Sequence, residues 1–236
     1  MKVKSAFVWL ASVVVGLSLG QAQAATLMVD DFSNLGTVPA TNQWGNASAA
    51  GVLGGTRNFT KVGGTAQKWL TPSSTPTPSP PVPAGTLRLE SNGSTNIASN
   101  QFQFMYNGSP TSSTPTLNPK VNVSSMTYLN VVGQFATNAS TQAIVRLTSG
   151  SGSVSAVTVT QAGYDSTNKV WRFALSGFSP LNKSQLQRVY VQFNALGVVN
   201  NIDKIYFSDY YVPEPSTFAL AGLAAVGLVI ARRKKK

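Results

Sequence analysis

From residue 27 to residue 211, apolar side chains recur at alternate positions in short runs. Leu27 and Val29 alternate in TLMVDDF, and Leu87 and Leu89 in GTLRLES. In NQFQFMYN, Phe102, Phe104 and Tyr106 fall on one side and Gln101 and Gln103 on the other. Leu129, Val131 and Phe135 continue the pattern, followed by Ala143, Val145 and Leu147, then Val157 and Val159. Trp171, Phe173 and Leu175, then Val189, Val191 and Phe193, and finally Ile205, Phe207 and Tyr211 complete it. Period two with one apolar face predicts half-buried antiparallel strands. Turn residues separate the runs at Asn92-Gly93, Asn107-Gly108 and 149–152. Roughly nine or ten short strands predict an all-β antiparallel sandwich of jelly-roll type. A short helical turn is expected at 184–186, and no helical period is expected before Ser216.

Two stretches depart from period two at the ends of the chain. Residues 1–24 combine Lys2 and Lys4, an apolar run from Ala6 to Leu19, and Ala22-Gln23-Ala24. A basic start, an apolar middle and an A-x-A site at Ala22 and Ala24 predict a secretory signal peptide cleaved after Ala24, with Ala25 as the mature N-terminus. At the other end, Thr217 to Ala231 is uncharged over fifteen residues and is followed by Arg232, Arg233, Lys234, Lys235 and Lys236. Such a helix is about 22 Å long, short for a hydrocarbon core about 30 Å thick. It is therefore expected to be a single short transmembrane helix, its basic tail held cytoplasmic and the body exported. Before it stands Val212-Pro213-Glu214-Pro215. Each proline fixes its own φ and extends the preceding residue, so the tetrapeptide is stiff and extended, presenting one carboxylate to a processing enzyme.

This tripartite order of motif, short apolar helix and basic end resembles the PEP-CTERM sorting signal. The resemblance implies recognition by exosortase, a membrane transpeptidase-like enzyme of Gram-negative bacteria. It further implies passage from the inner membrane to the cell envelope or an exopolysaccharide, biofilm-forming matrix. Domain organisation follows: signal peptide 1–24, sandwich 25–211, and sorting signal 212–236 with motif 212–215, helix 217–231 and basic tail 232–236. Six prolines within 71–83 give polyproline character and no ladder donors, which reads as an extended Pro/Ser/Thr-rich loop inside the sandwich.

Charge changes its meaning once these segments are set apart. The formal net charge is +11, but residues 25–211 hold eleven Lys/Arg against six Asp/Glu, scattered singly. The excess is mostly targeting chemistry, and no nucleic-acid partner is expected. With neither cysteine nor histidine, disulfides, thiolate sites and the usual zinc ligands are excluded.

The catalytic inventory is thin. Asp30, Asp31, Glu90, Asp165, Asp203 and Asp209 are the carboxylates of the body, and the adjacent Asp30 and Asp31 would face opposite sides of a strand. No enzyme activity and no obligatory cofactor are expected. A structural Ca²⁺ held by Asp30, Asp31, Asp203 and Asp209 is the candidate metal site, against a reading of these residues as solvated edge charges. Sugar-binding candidates are Trp44, beside Asn42 and Gln43, and Trp69, beside Gln67 and Lys68; Trp171 reads as core. VDDFS at 29–33 and WRFALSGFS at 171–179 resemble strands of carbohydrate-binding-module-like jelly rolls. Gly54-Gly55-Thr56-Arg57 resembles a turn of exported PEP-CTERM proteins. The expected function is that of an exported, non-catalytic surface or matrix protein binding exopolysaccharide. The alternative is a structural or adhesive matrix component without sugar recognition, and the outsider a polysaccharide-active enzyme.

Overall fold

The alternating runs form strands that bury their apolar sides between two sheets. A computed structural model describes residues 25–33, 45–48, 51–63, 68–70, 81–91, 100–107, 117, 119–136, 139–149, 153–160, 163–197 and 199–209. The signal peptide, the sorting motif, the 217–231 helix, the basic tail and residues 71–80 of the proline-rich stretch lie outside them, as does Trp44. Among the described residues there is no α-helix, and no helix long and apolar enough to cross a membrane.

The strands are β1 (Thr26–Asp30), β2 (Gly45–Ser48), β3 (Thr56–Gly63), β4 (Lys68–Leu70), β5 (Leu87–Glu90), β6 (Asn100–Tyr106) and β7 (Tyr128–Phe135). They continue as β8 (Gln142–Ser149), β9 (Ser153–Thr160), β10 (Tyr164–Asp165), β11 (Val170–Ala174), β12 (Leu186–Asn194) and β13 (Val199–Ser208). One sheet has the order β10-β11-β7-β13-β5-β4, with β1 also pairing β13; the other runs β2-β3-β6-β12-β8-β9. From β6 to β13 the chain passes repeatedly between the sheets, and every recorded strand pair is antiparallel, the jelly-roll arrangement of a β-sandwich. The turn expected at 184–186 is a 3-10 turn at Lys183–Gln185.

The core draws on both sheets. Leu129, Val131, Trp171, Phe173, Ile205 and Phe207 from one meet Phe102, Phe104, Val145, Leu147, Val191 and Phe193 from the other. Its centre is aromatic: Phe135 lies 4.4 Å from Trp171 and 5.2 Å from Phe193 between ring centroids, and Phe104 meets Phe193 edge-on at 6.2 Å. Trp171 is fully buried, the core role that its alternation with Phe173 indicates.

A charged pair enters this core. Asp30 (β1) and Arg57 (β3) are both buried and form a two-point ion pair through Arg57 Nε and Nη2. Tyr106 (β6) donates its hydroxyl to Asp30 Oδ2 at 2.9 Å, and the backbone N–H of Phe32 donates to Oδ1 at 2.9 Å. The guanidinium stands 4.8 Å from the Phe32 ring centre. Every partner orients the carboxylate, so the pair pins β1 of one sheet to β3 and β6 of the other. Burial pushes the Tyr106 hydroxyl well up, and the Asp30 negative charge adds to the effect. The pair depends on two local irregularities. A register shift between Met28 and Asp30 lets Val29 and Asp30 both turn inward. The Gly54 and Gly55 turn, with φ of 72° and 74°, delivers Thr56 and Arg57 into β3.

Candidate functional site

The described carboxylates are committed separately rather than assembled. Asp30 serves Arg57 and Tyr106, while Asp31 turns outward and accepts from the Ser33 N–H at 3.0 Å and hydroxyl at 2.7 Å. The two neighbours do face opposite ways. Asp165 accepts from the Asn168 side chain at 2.7 Å and from Arg172 at 3.0 Å, which hold its carboxyl below the ordinary range. Asp209 Oδ2 accepts from the Ala25 N–H at 3.2 Å, so β1 and the end of β13 do meet. Asp203 is half-buried in β13, and desolvation raises its carboxyl. Among the described residues no three acid side chains gather as a metal group. The four aspartates of the Ca²⁺ reading are thus not drawn into one group: the buried guanidinium takes the Asp30 oxygens, Asp31 turns to Ser33, and Asp209 to Ala25.

The outer face of the β2-β3-β6-β12-β8-β9 sheet has a more coherent chemistry. Period two places Gln101, Gln103 and Met105 (β6), Arg188, Tyr190, Gln192 and Asn194 (β12), and Gln142, Ile144, Arg146 and Thr148 (β8) away from the core. Register aligns them in rows: Gln101-Asn194-Gln142, Gln103-Gln192-Ile144 and Met105-Tyr190-Arg146. Thr60 of β3 extends the second row beside Gln103.

These side chains form a directed relay. The Tyr190 hydroxyl donates to Gln192 Oε1, Gln192 Nε2 donates to Asn194 Oδ1 at 2.6 Å, and Asn194 Nδ2 donates to Gln142 Oε1 at 3.3 Å. In parallel, Gln103 Nε2 donates to Gln101 Oε1 at 2.9 Å. Gln192 and Asn194 are only 6% and 2% exposed, whereas Tyr190, Gln101, Gln103 and Gln142 are half-buried and Arg146 is exposed. The inner amides thus orient an outer, reachable set. The Arg146 guanidinium lies 5.2 Å from the Tyr190 ring centre, and burial pushes the Tyr190 hydroxyl up to about 12. Arg188 donates to Thr148 Oγ1 from Nε at 3.2 Å and from Nη2 at 3.1 Å. Burial lowers its pKa, with the nearby Arg146 charge acting the same way. Thr60 Oγ1 is buried and has no hydrogen-bond partner.

Of the sequence candidates, Trp69 lies on β4, at the edge of the opposite sheet and opposite Leu89. It is not on the amide face. The relay residues were visible in the sequence as the polar halves of strands whose apolar halves marked the core. Alternation places Tyr190, Gln192 and Asn194 on one side of β12, but not the cross-strand register that brings Gln142 of β8 to Asn194.

No curated protein matches the chain by sequence. The family 11 carbohydrate-binding module of the cellulosomal cellulase Lic26A-Cel5E of Clostridium thermocellum is 14% identical, with a TM-score of 0.41 over 82% of this chain and 99% of that one. A family 11 carbohydrate-binding module from Clostridium thermocellum, solved with a β-1,3-1,4-mixed-linked tetrasaccharide, is 15% identical, with a TM-score of 0.40 over 79% and 96%. The agarase AgWH50C is 10% identical, with a TM-score of 0.40 over 81% of this chain and 25% of that one. Residues 212–235 match the family described as "PEP-CTERM protein-sorting motif". Such a signal implies an exported protein, sorted via the membrane and processed by exosortase. The Val212-Pro213-Glu214-Pro215 tetrapeptide, apolar run and basic end of the chain are thus a PEP-CTERM protein-sorting motif.

Proposed function

We propose that the exported protein binds polysaccharide, without catalysis, on the outer face of its six-stranded sheet. The observation that carries this reading is the relay Tyr190-Gln192-Asn194-Gln142. A solvated strand face needs only to be polar. A directed relay also fixes which end of each amide donates and which accepts, and sugar hydroxyls need both kinds of partner. Orienting these groups before the ligand arrives lowers the entropy lost on binding. The Tyr190 ring adds an apolar patch for a pyranose face, and the orphaned Thr60 hydroxyl lies in the row of Gln103 and Gln192.

The processing events complete the reading. The leader is cleaved after Ala24, and the 217–231 helix holds the protein in the inner membrane during sorting, with Arg232 to Lys236 on the cytoplasmic side. Exosortase grips the extended Val212 to Pro215 segment, and the body passes to the envelope or exopolysaccharide matrix of a Gram-negative cell. The shortness of the helix favours a temporary address over a lasting anchor. Trp44 and Trp69 remain candidate accessory sugar contacts.

Affinity electrophoresis of the full chain through gels containing the producing cell's exopolysaccharide tests the binding reading. The wild type is expected to be retarded, and Tyr190→Ala and Gln192→Leu each to weaken binding about tenfold, about 1.4 kcal/mol. Lys120→Gln, an exposed change on a loop, is expected to leave it unaltered. An unretarded wild type would leave the structural or adhesive matrix component as the better account.

A further inference from the structure

Where β1 meets the end of β13, Thr26 pairs with Ser208, and one residue further out Ala25 and Asp209 face each other. The Ala25 N–H donates to Asp209 Oδ2 at 3.2 Å, and the Asp209 N–H donates to the Ala25 carbonyl at 3.3 Å. The second carboxylate oxygen, Oδ1, is buried and has no hydrogen-bond partner. In the uncut chain, then, a carboxylate with one long bond from a neutral amide keeps its other oxygen unsatisfied. Leaving a buried acceptor unmet is costly. This is half of an ion-pair site.

We propose that removal of the leader creates the missing half: Asp209 is the receptor for the α-ammonium of Ala25. Hydrolysis of the Ala24–Ala25 peptide bond consumes one water and leaves a carboxyl on the released leader and an amine on Ala25, protonated below its pKa. One neutral N–H then becomes three donors and a positive charge at the same nitrogen, enough to serve both Asp209 oxygens. The contact pins β1 onto β13 three residues before Val212 of the sorting motif. Processing at one end thereby tightens an existing sheet contact next to the segment that is processed at the other. Of the titratable groups on the adjoining described strand ends, Asp209 contacts the nitrogen, and Tyr128 of β7 lies beyond it, opposite Ser208. The inference rests on the proposed cleavage after Ala24.

Sign follows from the charge. A carboxylate partner raises the amine above its ordinary range of about 7.7–8.0, so the latch is present below that range and lost as pH rises through the raised value. Competitive acetylation of the exported protein across pH, read by mass spectrometry of the N-terminal peptide, measures the midpoint directly. The expected midpoint lies at least about half a unit above the ordinary range, making the amine about threefold less reactive near neutral pH. Asp209→Asn is expected to return it to the ordinary range. A wild-type midpoint within that range overturns the latch while leaving the cleavage reading intact, and does so even if Asp209→Asn fails to fold. A mature chain beginning anywhere but Ala25 removes both.

Discussion

Replacing Asp30 by alanine leaves the Arg57 guanidinium, 1% exposed, without its carboxylate and leaves the Tyr106 hydroxyl without its acceptor. Removing one partner of a buried pair costs about 3–5 kcal/mol, because the remaining charge has neither water nor counter-ion. That is a large part of the roughly 5–15 kcal/mol that holds a domain folded. In a domain of this size each kcal/mol moves Tm by about 2–4 °C, so Asp30→Ala is expected to melt about 6–20 °C lower. The double variant Asp30→Ala with Arg57→Met separates pair from packing. With both charges gone, the methionine fills the volume of the arginine stem between the sheets, and much of the loss is expected to return. Tyr106→Phe removes only the hydroxyl and is expected to cost about 1.5–3 kcal/mol. Urea unfolding followed by the fluorescence of buried Trp171, repeated by calorimetry, gives all the values. A single-variant cost below about 1 kcal/mol, or a double variant as unstable as the summed singles, would refute the pair as the link between the sheets.

Other expectations concern positions away from this pair. A methyl group at Gly133 would lie 2.2 Å from the Asn201 carbonyl oxygen and 2.9 Å from Ile202 Cα, both backbone atoms of β13. Gly133→Ala is therefore expected to cost at least about 1–3 kcal/mol in urea unfolding, and a neutral result would mean that β7 and β13 part easily at their register shift. Asp165 is held below its ordinary value of 3.8, first by the Asn168 side chain, then by the Asn168 N–H and by Arg172. Its contribution is present above that value and lost as pH falls through the depressed one. Melting curves between pH 5 and pH 2 are expected to fall slightly more in the wild type than in Asp165→Asn, since solvent screens so exposed a carboxylate.

The fold was legible where side chains obey period two. The runs in β1, β5 to β9 and β11 to β13 all carried apolar residues at alternate positions, and those described are buried, apart from Leu27 and Val159, which pack half-buried against the core. Four strands lacked that signal for identifiable reasons. In β2, GNAS has no large apolar residue, while β10 is two residues long and β4 three. In β3 the inward position next to Phe59 is Arg57, a charge that breaks the pattern because Asp30 neutralises it within the core. Asp30 itself was hidden by the shift beside Met28, since strict alternation turns it away from the side of Val29. The candidate site was legible only as polar residue types. Tyr190, Gln192 and Asn194 share one side of β12 by alternation, whereas Gln142 lies 52 residues from Asn194 in sequence and joins the relay only through the register of β12 against β8. The sorting motif needed no fold at all, because its proline spacing, apolar length and basic end are local properties of the chain.

Hydrogen-exchange mass spectrometry of the exported protein, with and without the producing cell's exopolysaccharide, tests the binding face most directly. Binding is expected to slow exchange in β6, β8 and β12, around Gln103, Gln142 and Tyr190, and to leave β7 and β13 unchanged. Protection confined to the opposite sheet, or none at saturating polysaccharide, would contradict the account.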